Sequence, residues 1–195
     1  DLVVWNTTEF DKPLNVPLTV KNDTILFTTF LSNDRNQKFT VFKPDDIQIV
    51  NEFELIETPL PKDDPLNFED KKKYIDRLKA ARKLTGQDDA ILIAKGKVQN
   101  INMVVGAQDF RFIGGSFGAA SGEAFIAGAQ YAIENRIPYV FFSCSGGQRM
   151  HESSIALMQM SRTALAVNEL KKNNVPFIVV LTTPTTGGVS ASWAS

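Results

Sequence analysis

The alternation of hydrophobic and polar residues changes character near residue 56. Before it, short β-branched and aromatic runs such as "TILFTTFL" and "KFTVF" are separated by polar and proline-containing stretches, a pattern that predicts a few strands. The segment "ETPLPKDDPLNF" then opposes helix formation and predicts a linker. We therefore expect a β-rich segment of unknown role over 1–56 and a second domain over 57–195.

The second domain opens with a predicted helix and a predicted hairpin. In "EDKKKYIDRLKAARKLTG", acidic residues come first, and Tyr74, Leu78 and Ala81 share one face. Gly86 ends the helical pattern. The next run, "AILIAKGKVQNINMVVGAQDFRF", alternates like a β-hairpin whose second strand continues.

Strand-like and helix-like runs alternate through the rest of the chain. Helices are predicted over roughly 119–135 and 152–172, and a further one after Gly188. The strands "YVFFS" and "PFIVVLTT" are continuous apolar runs, of the type that is buried on both faces of a sheet. Strand–turn–helix repeats with short links predict a parallel sheet with right-handed crossovers, and so an α/β fold.

Three of the predicted strands are each followed by a pair of glycines. The pairs are Gly114–Gly115, Gly146–Gly147 and Gly187–Gly188. Glycine adopts positive φ without strain and lets backbone N–H groups approach a ligand, and the following helix start adds unpaired donors. Such a turn can bind a phosphate or stabilise an oxyanion. One pair alone also fits a tight packing turn, but three on adjacent strands favour a shared site at the strand ends.

The glycine turns match neither of two familiar phosphate motifs. The stretch "GGSFGAASGE" contains no GKS or GKT, so it is not a P-loop, and it lacks the G-x-G-x-x-G spacing of a dinucleotide site.

Side chains add little chemistry to this picture. The net charge of −1 gives no general attraction to nucleic acid or anionic membranes. No apolar run reaches membrane-spanning length, and no signal peptide is visible.

The single cysteine, Cys144, excludes an internal disulfide and a cysteine-based zinc site. We interpret Cys144 as a buried residue at a strand end, and the sole histidine, His151, as a polar residue in the first turn of a helix. Without a Ser-His-Asp set or paired carboxylates, backbone donors are the predicted chemistry.

Two further patterns have ordinary interpretations. The first helix carries the basic cluster Lys71, Lys72, Lys73, Arg77, Lys79, Arg82 and Lys83. Because acidic residues balance it, we interpret it as a solvated face, with contact to a phosphorylated cofactor or a partner subunit as the alternative. Met158 and Met160 are interpreted as core packing on a long apolar helix.

Four stretches together resemble a known family. They are "DPLNFEDKKKYIDRLKAARKLTG", "FIGGSFGAASGEAF", "SCSGGQRMHESSIALMQM" and "VVLTTPTTGGVSASWA". In order and spacing they resemble the β subunit of the bacterial and plastid multi-subunit acetyl-CoA carboxylase carboxyltransferase. The resemblance implies a crotonase-like α/β fold of repeated ββα units with parallel core strands, here preceded by the short β-rich N-terminal segment.

The resemblance also implies a reaction. The family transfers a carboxyl group from carboxybiotin, carried on a separate protein, to acetyl-CoA, and so forms malonyl-CoA for fatty acid synthesis. It implies that the biotin ureido nitrogen takes a proton from the acetyl group and that backbone N–H pairs stabilise the oxyanions. Gly187 and Gly188 match the oxyanion-hole pair. The residues assigned to substrate binding are Gly114, Gly115, Gly146, Gly147 and Arg149.

The implied partners are the carboxyltransferase α subunit, the biotin carboxyl carrier protein and biotin carboxylase. The assembly would be a hetero-oligomer of the bacterial cytoplasm that needs no membrane, with the plastid stroma as the alternative location.

The chain departs from the family pattern in several places. Family members begin with a four-cysteine zinc ribbon, whereas this chain has no CxxC and residues 1–46 match nothing recognised, so no zinc is expected. Thr183 stands where Asp is expected, and Gln148 and His151 stand where Ala and Gln are common. Because the family continues further, we expect a fragment that is incomplete at its C-terminus and inactive alone.

Two alternatives remain open at this point. One is another acyl-CoA enzyme of the crotonase superfamily, such as a decarboxylase or a hydratase; a hydratase needs a pair of glutamates, and the spacing of Glu123, Glu134 and Glu152 pairs none of them. The other is a non-catalytic interaction module. An enzyme should bind CoA thioesters and lose activity on Gly188→Val, whereas a module should do neither.

Overall fold

The structure, a computed structural model, describes residues 53–98 and 100–194 and, nearer the N-terminus, five short strands. The chain divides into two units, Asp1–Ile49 and Val50–Ser195. The strands of the first unit are β1 (Val3–Asn6), β2 (Leu14–Val16), β3 (Leu18–Lys21), β4 (Thr24–Phe27) and β5 (Phe39–Phe42). β1 pairs antiparallel with β2 and with β5, and β3 pairs antiparallel with β4. The prediction of strands in "TILF" and "FTVF" is therefore confirmed.

The second unit is built on a five-stranded sheet in the order β10-β9-β8-β7-β6. Its strands are β6 (Glu54–Leu55), β7 (Ile91–Val98), β8 (Ile101–Gln108), β9 (Tyr139–Ser145) and β10 (Phe177–Thr185). β7 and β8 form the predicted antiparallel hairpin, and β8, β9 and β10 are parallel neighbours, as predicted. β6 pairs with β7, so the last residues of the stretch 1–56 contribute to this sheet.

The helices described in the second unit are α1 (Tyr74–Thr85), α2 (Ala119–Asn135) and α3 (Ser153–Lys172). The extents of α2 and α3 agree with the prediction, but α1 begins at Tyr74 instead of Glu69. Glu69 and Lys73 form an antiparallel bridge, and the Tyr74 N–H donates to the Phe68 carbonyl (2.9 Å). These bonds hold the preceding residues outside the helix. Gly86 ends α1, as predicted, with a left-handed φ of 72°.

Aromatic rings fill the core between α2 and the sheet. Phe125 of α2 packs against Phe141 of β9, with ring centroids 5.3 Å apart, and against Trp193 at 4.9 Å. All three side chains are buried. α2 also lies close to α3: at Gly122 the helices are so near that a Cβ would overlap the side chain of Gln159.

The prediction that both apolar strands are buried on two faces is wrong. Along β9, alternate residues such as Phe141 are buried, whereas Phe142 is 42% exposed. On β10, Ile178 is 52% exposed and Leu181 is 59% exposed. The reason is that α2 packs on the face that carries Phe141, and no described helix covers the opposite face.

Two predictions about helices also fail. Of the two methionines interpreted as core packing, Met158 is 60% exposed and Met160 is half-buried, so the interpretation is wrong for Met158. Gly188 does not open a helix. The stretch 187–194 forms turns instead, with the Ala191 N–H donating to Gly187 (3.1 Å) and the Ala194 N–H donating to Val189 (3.3 Å).

The basic cluster on and before α1 lies at the surface. Arg82 donates to both carboxylate oxygens of Asp63, at 2.6 and 2.8 Å, and Arg77 pairs with Asp70 at 2.5 Å. The lysines of the cluster are exposed, which agrees with the interpretation as a solvated face. Within the described residues, no helix combines the length and hydrophobicity needed to cross a bilayer.

Candidate active site at three glycine turns

Three glycine turns lie side by side at one edge of the sheet. We name them by residue: the first turn is 113–118, after β8; the second turn is 146–149, after β9; the third turn is 186–190, after β10. Because these strands are parallel neighbours, the turns that follow them meet at the same edge. The predicted convergence of the glycine pairs is confirmed.

Hydrogen bonds join the first turn to the second as if the parallel pairing continued. The Gly146 N–H donates to the Gly114 carbonyl (2.9 Å), and the Phe117 N–H donates to the Gly147 carbonyl (2.8 Å). The Arg149 N–H then donates back to the Phe117 carbonyl (2.9 Å). The two turns therefore form one hydrogen-bonded layer.

The third turn approaches the second at backbone contact. The Thr186 N–H donates to the Ser145 carbonyl (3.0 Å). A Cβ on Gly187 would lie 3.3 Å from the Cα of Gly147. Gly187 has a φ of 62° and Gly147 a φ of 113°, conformations that side chains oppose. Both positions therefore need glycine for conformation, and Gly187 also needs it for space.

The turns differ in which N–H groups remain available. The protein itself uses the N–H groups of Gly115, Gly146 and Gly147. In contrast, no residue in the described part of the chain accepts a hydrogen bond from the N–H of Gly187 or Gly188. Gly187 is exposed and Gly188 is half-buried. The third turn is therefore the one in which both glycines of the pair keep an N–H that a ligand can reach, while in the first turn the N–H of half-buried Gly114 also has no acceptor among the described residues.

The side chain of Arg149, which was predicted to bind substrate, is completely buried at the base of the second turn. Its guanidinium donates to both oxygens of Asp89, at 2.5 and 2.8 Å, and to the carbonyl of Ser116 at 2.6 Å. Burial, the largest single effect, would raise the pKa of Asp89, but the charge and hydrogen bonds of Arg149, together with hydrogen bonds from Ser121 and Ala90, outweigh it and hold that pKa below its usual value. Since the side chain is inaccessible, Arg149 is placed to fix the first turn against the second.

Glu152 occupies a position that sequence reasoning missed. Its carboxylate accepts a hydrogen bond from the N–H of Ala119, the first residue of α2 (2.6 Å), and another from the hydroxyl of Tyr74 (2.6 Å). A Cβ on Gly118 would lie 2.6 Å from Glu152 Oε1. The start of α2, expected to offer donors to a ligand, therefore holds an anion from the protein itself.

The other candidate side chains do not assemble into a catalytic group. Cys144 is half-buried, not fully buried as interpreted, and its Sγ lies 3.9 Å from the Thr183 carbonyl. Glu123 pairs with Arg162, so it is engaged with a different partner from Glu152. Among the residues that the structure describes, no three His, Cys, Asp or Glu side chains group as metal ligands.

His151 is buried in an aromatic environment beside this network. Its ring stacks on Tyr74 with centroids 4.8 Å apart and lies edge-on to Phe68 at 5.3 Å. Its Nδ1 has no hydrogen-bond partner among the described residues. It lies in a short helical turn, Met150–Glu152, that precedes α3.

The burial of His151 makes stability depend on pH. Burial first, and then the charges of Arg77 and Arg149, lower the pKa of His151, against smaller opposing effects of Asp70 and Glu152. The unfolded chain therefore takes up a proton below about pH 6.5 that the folded chain takes up only at lower pH. We expect the free energy of unfolding to fall between pH 7 and pH 5, and to fall less steeply in His151→Gln. Urea unfolding at each pH measures this, and equal slopes for the two proteins would contradict it.

The fold and the glycine turns together define an α/β protein of the crotonase-like class. Structure comparison agrees: transcarboxylase 12S superposes with a TM-score of 0.51 and 27% sequence identity, over 54% of this chain and 20% of that chain. A sequence profile of the carboxyl transferase domain matches residues 63–195. The chain belongs to the carboxyl transferase domain family.

Curated relatives within this family share one name. Acetyl-coenzyme A carboxylase carboxyl transferase subunit beta of Pelagibacter ubique is 57% identical over 144 residues, which is 74% of this chain and 47% of the relative. The protein of the same name from Caulobacter vibrioides is 54% identical over 143 residues, 73% of this chain and 47% of the relative. The chain thus spans about half the length of the curated relatives it matches.

Proposed function

We propose that this chain carries the glycine-turn portion of an acetyl-CoA carboxylase carboxyltransferase β subunit. The reaction is transfer of a carboxyl group from carboxybiotin to acetyl-CoA, forming malonyl-CoA. The observation that carries the proposal is the pair of N–H groups on Gly187 and Gly188, neither of which donates a hydrogen bond to any described residue. The names of relatives at 57% and 54% identity support it. So does the transcarboxylase 12S structure, which is described with methylmalonyl-coenzyme A bound.

The chemistry assigned to this chain is stabilisation of negative charge on a thioester oxygen. Carboxybiotin, when bound, supplies the carboxyl group. The N–H groups of Gly187 and Gly188 hold the oxygen of the acyl group as it becomes an enolate. Such donors act mainly in the transition state, and each contributes about 3–4 kcal/mol. The donors fit a flat thioester because neither glycine places a side chain over them.

The glycines of the other two turns have a different proposed role. Their N–H groups largely serve the protein, so we assign Gly114, Gly115, Gly146 and Gly147 to shaping the acyl-CoA side of the pocket. Arg149 supports that wall from beneath through Asp89 and Ser116, and is proposed to position it without touching substrate.

The partners belong to the same proposal. A β subunit of this type works with a carboxyltransferase α subunit, a biotin carboxyl carrier protein and biotin carboxylase, in a hetero-oligomer of the bacterial cytoplasm. The word "subunit" in the names of both relatives supports a multi-subunit assembly.

A hydratase of the same superfamily is not favoured. That chemistry needs two carboxylates at the reacting centre, but Glu123 is bound to Arg162 and Glu152 to Tyr74 and Ala119. A non-catalytic module is separated from the enzyme by the experiment that follows.

The test is the reverse half-reaction, malonyl-CoA decarboxylation with biotin as acceptor. The chain is mixed with a carboxyltransferase α subunit, and turnover is expected above that of the α subunit alone. A second arm replaces the matching part of the Pelagibacter ubique relative with residues 63–195. If neither the chain nor this chimera turns over, while the unmodified relative does, the proposal is wrong.

A further inference from the structure

Ser145 lies where the three glycine turns meet. It is the last residue of β9, the middle of the three parallel strands, and it is completely buried. The first turn lies on one side of it and the third turn on the other. It is a small hydroxyl-bearing residue that the sequence analysis did not single out.

The hydroxyl and the backbone carbonyl of Ser145 both form hydrogen bonds with the turns. Its hydroxyl donates to the Gly115 carbonyl in the first turn (2.7 Å) and accepts from the Gly147 N–H in the second turn (3.0 Å). Its backbone carbonyl accepts from the Thr186 N–H in the third turn (3.0 Å). A single residue thus bonds to all three turns.

The hydroxyl is arranged for support and not for nucleophilic attack. Its donated bond goes to a backbone carbonyl, and its accepted bond comes from a backbone N–H. His151, the one histidine of the chain, is stacked on Tyr74 and forms no bond with Ser145. Activation of a serine needs an adjacent base.

Because the second and third turns are in contact, a displacement of the second turn also displaces the third. Because a Cβ on Gly147 would lie 3.5 Å from the Cα of Gly187, the two backbones lie against each other without intervening side chains. A shift of Gly147 therefore moves Gly187, and with it the N–H groups assigned to the thioester oxygen. Misplacement of such groups by about 1 Å can lower the rate 100-fold.

We infer that Ser145 is a positioning residue for the donors of Gly187 and Gly188. Its hydroxyl fixes the first and second turns to each other, and its carbonyl fixes the third turn in register with them. This inference rests on the proposed function for its catalytic consequence, but its structural consequence can be measured without turnover.

The test compares Ser145→Ala with Ser143→Ala. Ser143 lies two residues earlier on the same buried face of β9, and its hydroxyl reaches only the side chains of Gln108 and Thr185, at 3.4 Å. In the assay described above, Ser145→Ala is expected to lower kcat on the order of 10- to 100-fold, with KM for malonyl-CoA nearly unchanged. Ser143→Ala is expected to stay within about twofold of the unmodified protein.

Amide hydrogen exchange gives the readout that does not need turnover. In Ser145→Ala the amides of Gly147 and Thr186 are expected to exchange at least about tenfold faster, and in Ser143→Ala they are expected to stay unchanged. Thr186 decides the question, because its N–H bonds to the backbone of Ser145 and not to the hydroxyl. Its hydrogen exchange becomes faster only if loss of the Ser145 hydroxyl displaces or loosens the third turn.

The outcomes separate this inference from the proposed function. Absence of turnover in the unmodified protein counts against the function alone, and the exchange of Thr186 then decides the role of Ser145. Equal effects of the two serine variants on exchange and on kcat would overturn the inference. If Ser145→Ala does not fold, Ser145→Cys replaces it, since a thiol has a similar shape but is a weak donor.

Discussion

Gly188→Val is expected to lower kcat in the malonyl-CoA assay by about 100- to 1,000-fold, the loss typical when an oxyanion donor is displaced. A Cβ at this position would lie 2.5 Å from Cγ of Gln148. The branched side chain must therefore push Gln148 aside or move the third turn, and either change shifts the two N–H groups. Steady-state kinetics with the chain or the chimera measures the effect, and KM should change much less than kcat.

Two controls make this result specific. Gly86→Ala changes a glycine of positive φ at the end of α1, where a Cβ meets nothing within 4 Å, so it tests the general cost of replacing a glycine and should leave kcat unchanged. Gly188→Val combined with Gln148→Ala removes the steric conflict with the neighbouring side chain. Recovery of kcat in that double variant would show that the loss in Gly188→Val comes from the clash with Gln148, whereas no recovery would show that the valine side chain itself displaces or blocks the donors.

Arg149→Met is expected to lower the free energy of unfolding by about 3–5 kcal/mol, the usual cost of removing one partner of a buried ion pair. The substitution keeps much of the apolar stem but leaves the carboxylate of Asp89 buried without its partner, and the carbonyl of Ser116 loses a donor. Urea unfolding can be followed by the fluorescence of Trp193, which is 1% exposed, in a Trp5→Phe background.

The matched control is Arg162→Met. Arg162 also pairs with a carboxylate, that of Glu123, but its side chain is 40% exposed, and we expect a loss of only about 0–1 kcal/mol. Because the pKa of Asp89 is lowered on folding, the stability from its pair is complete above about pH 4 and is lost as the pH falls through the lower, folded-state value. The difference between Arg149→Met and the unmodified protein should therefore shrink in acid. Equal losses for the two arginine variants at pH 7 would contradict the argument.

The sequence predicted those features that follow from local patterns. The alternation of strand-like and helix-like runs predicted the extents of α2 and α3. Alternation predicted the β7–β8 hairpin, and the glycine pairs predicted the meeting of three turns. These features depend on neighbours along the chain or on the general geometry of parallel strands.

The features that the sequence did not predict depend on contacts between distant residues. Glu152 reaches the N–H of Ala119 from another helix, and no local pattern connects the two positions. Arg149 was assigned to substrate binding from the family resemblance, and no local pattern showed that Asp89, far away in the sequence, pairs with it in the interior. The exposed face of β9 and β10 was missed because hydrophobicity alone does not say which elements cover a strand.

The carboxylate of Glu152 at the start of α2 limits what kind of anion this edge of the sheet can attract. A helix start normally favours any negative group, including a phosphate that carries its charge permanently. Here the carboxylate of Glu152, a group of the same chain, already occupies the start of α2, and the third turn offers two adjacent N–H groups that donate to no described residue. We expect the edge to discriminate against ligands that arrive with a dense charge, and to favour a neutral carbonyl that acquires a single charge only while it reacts.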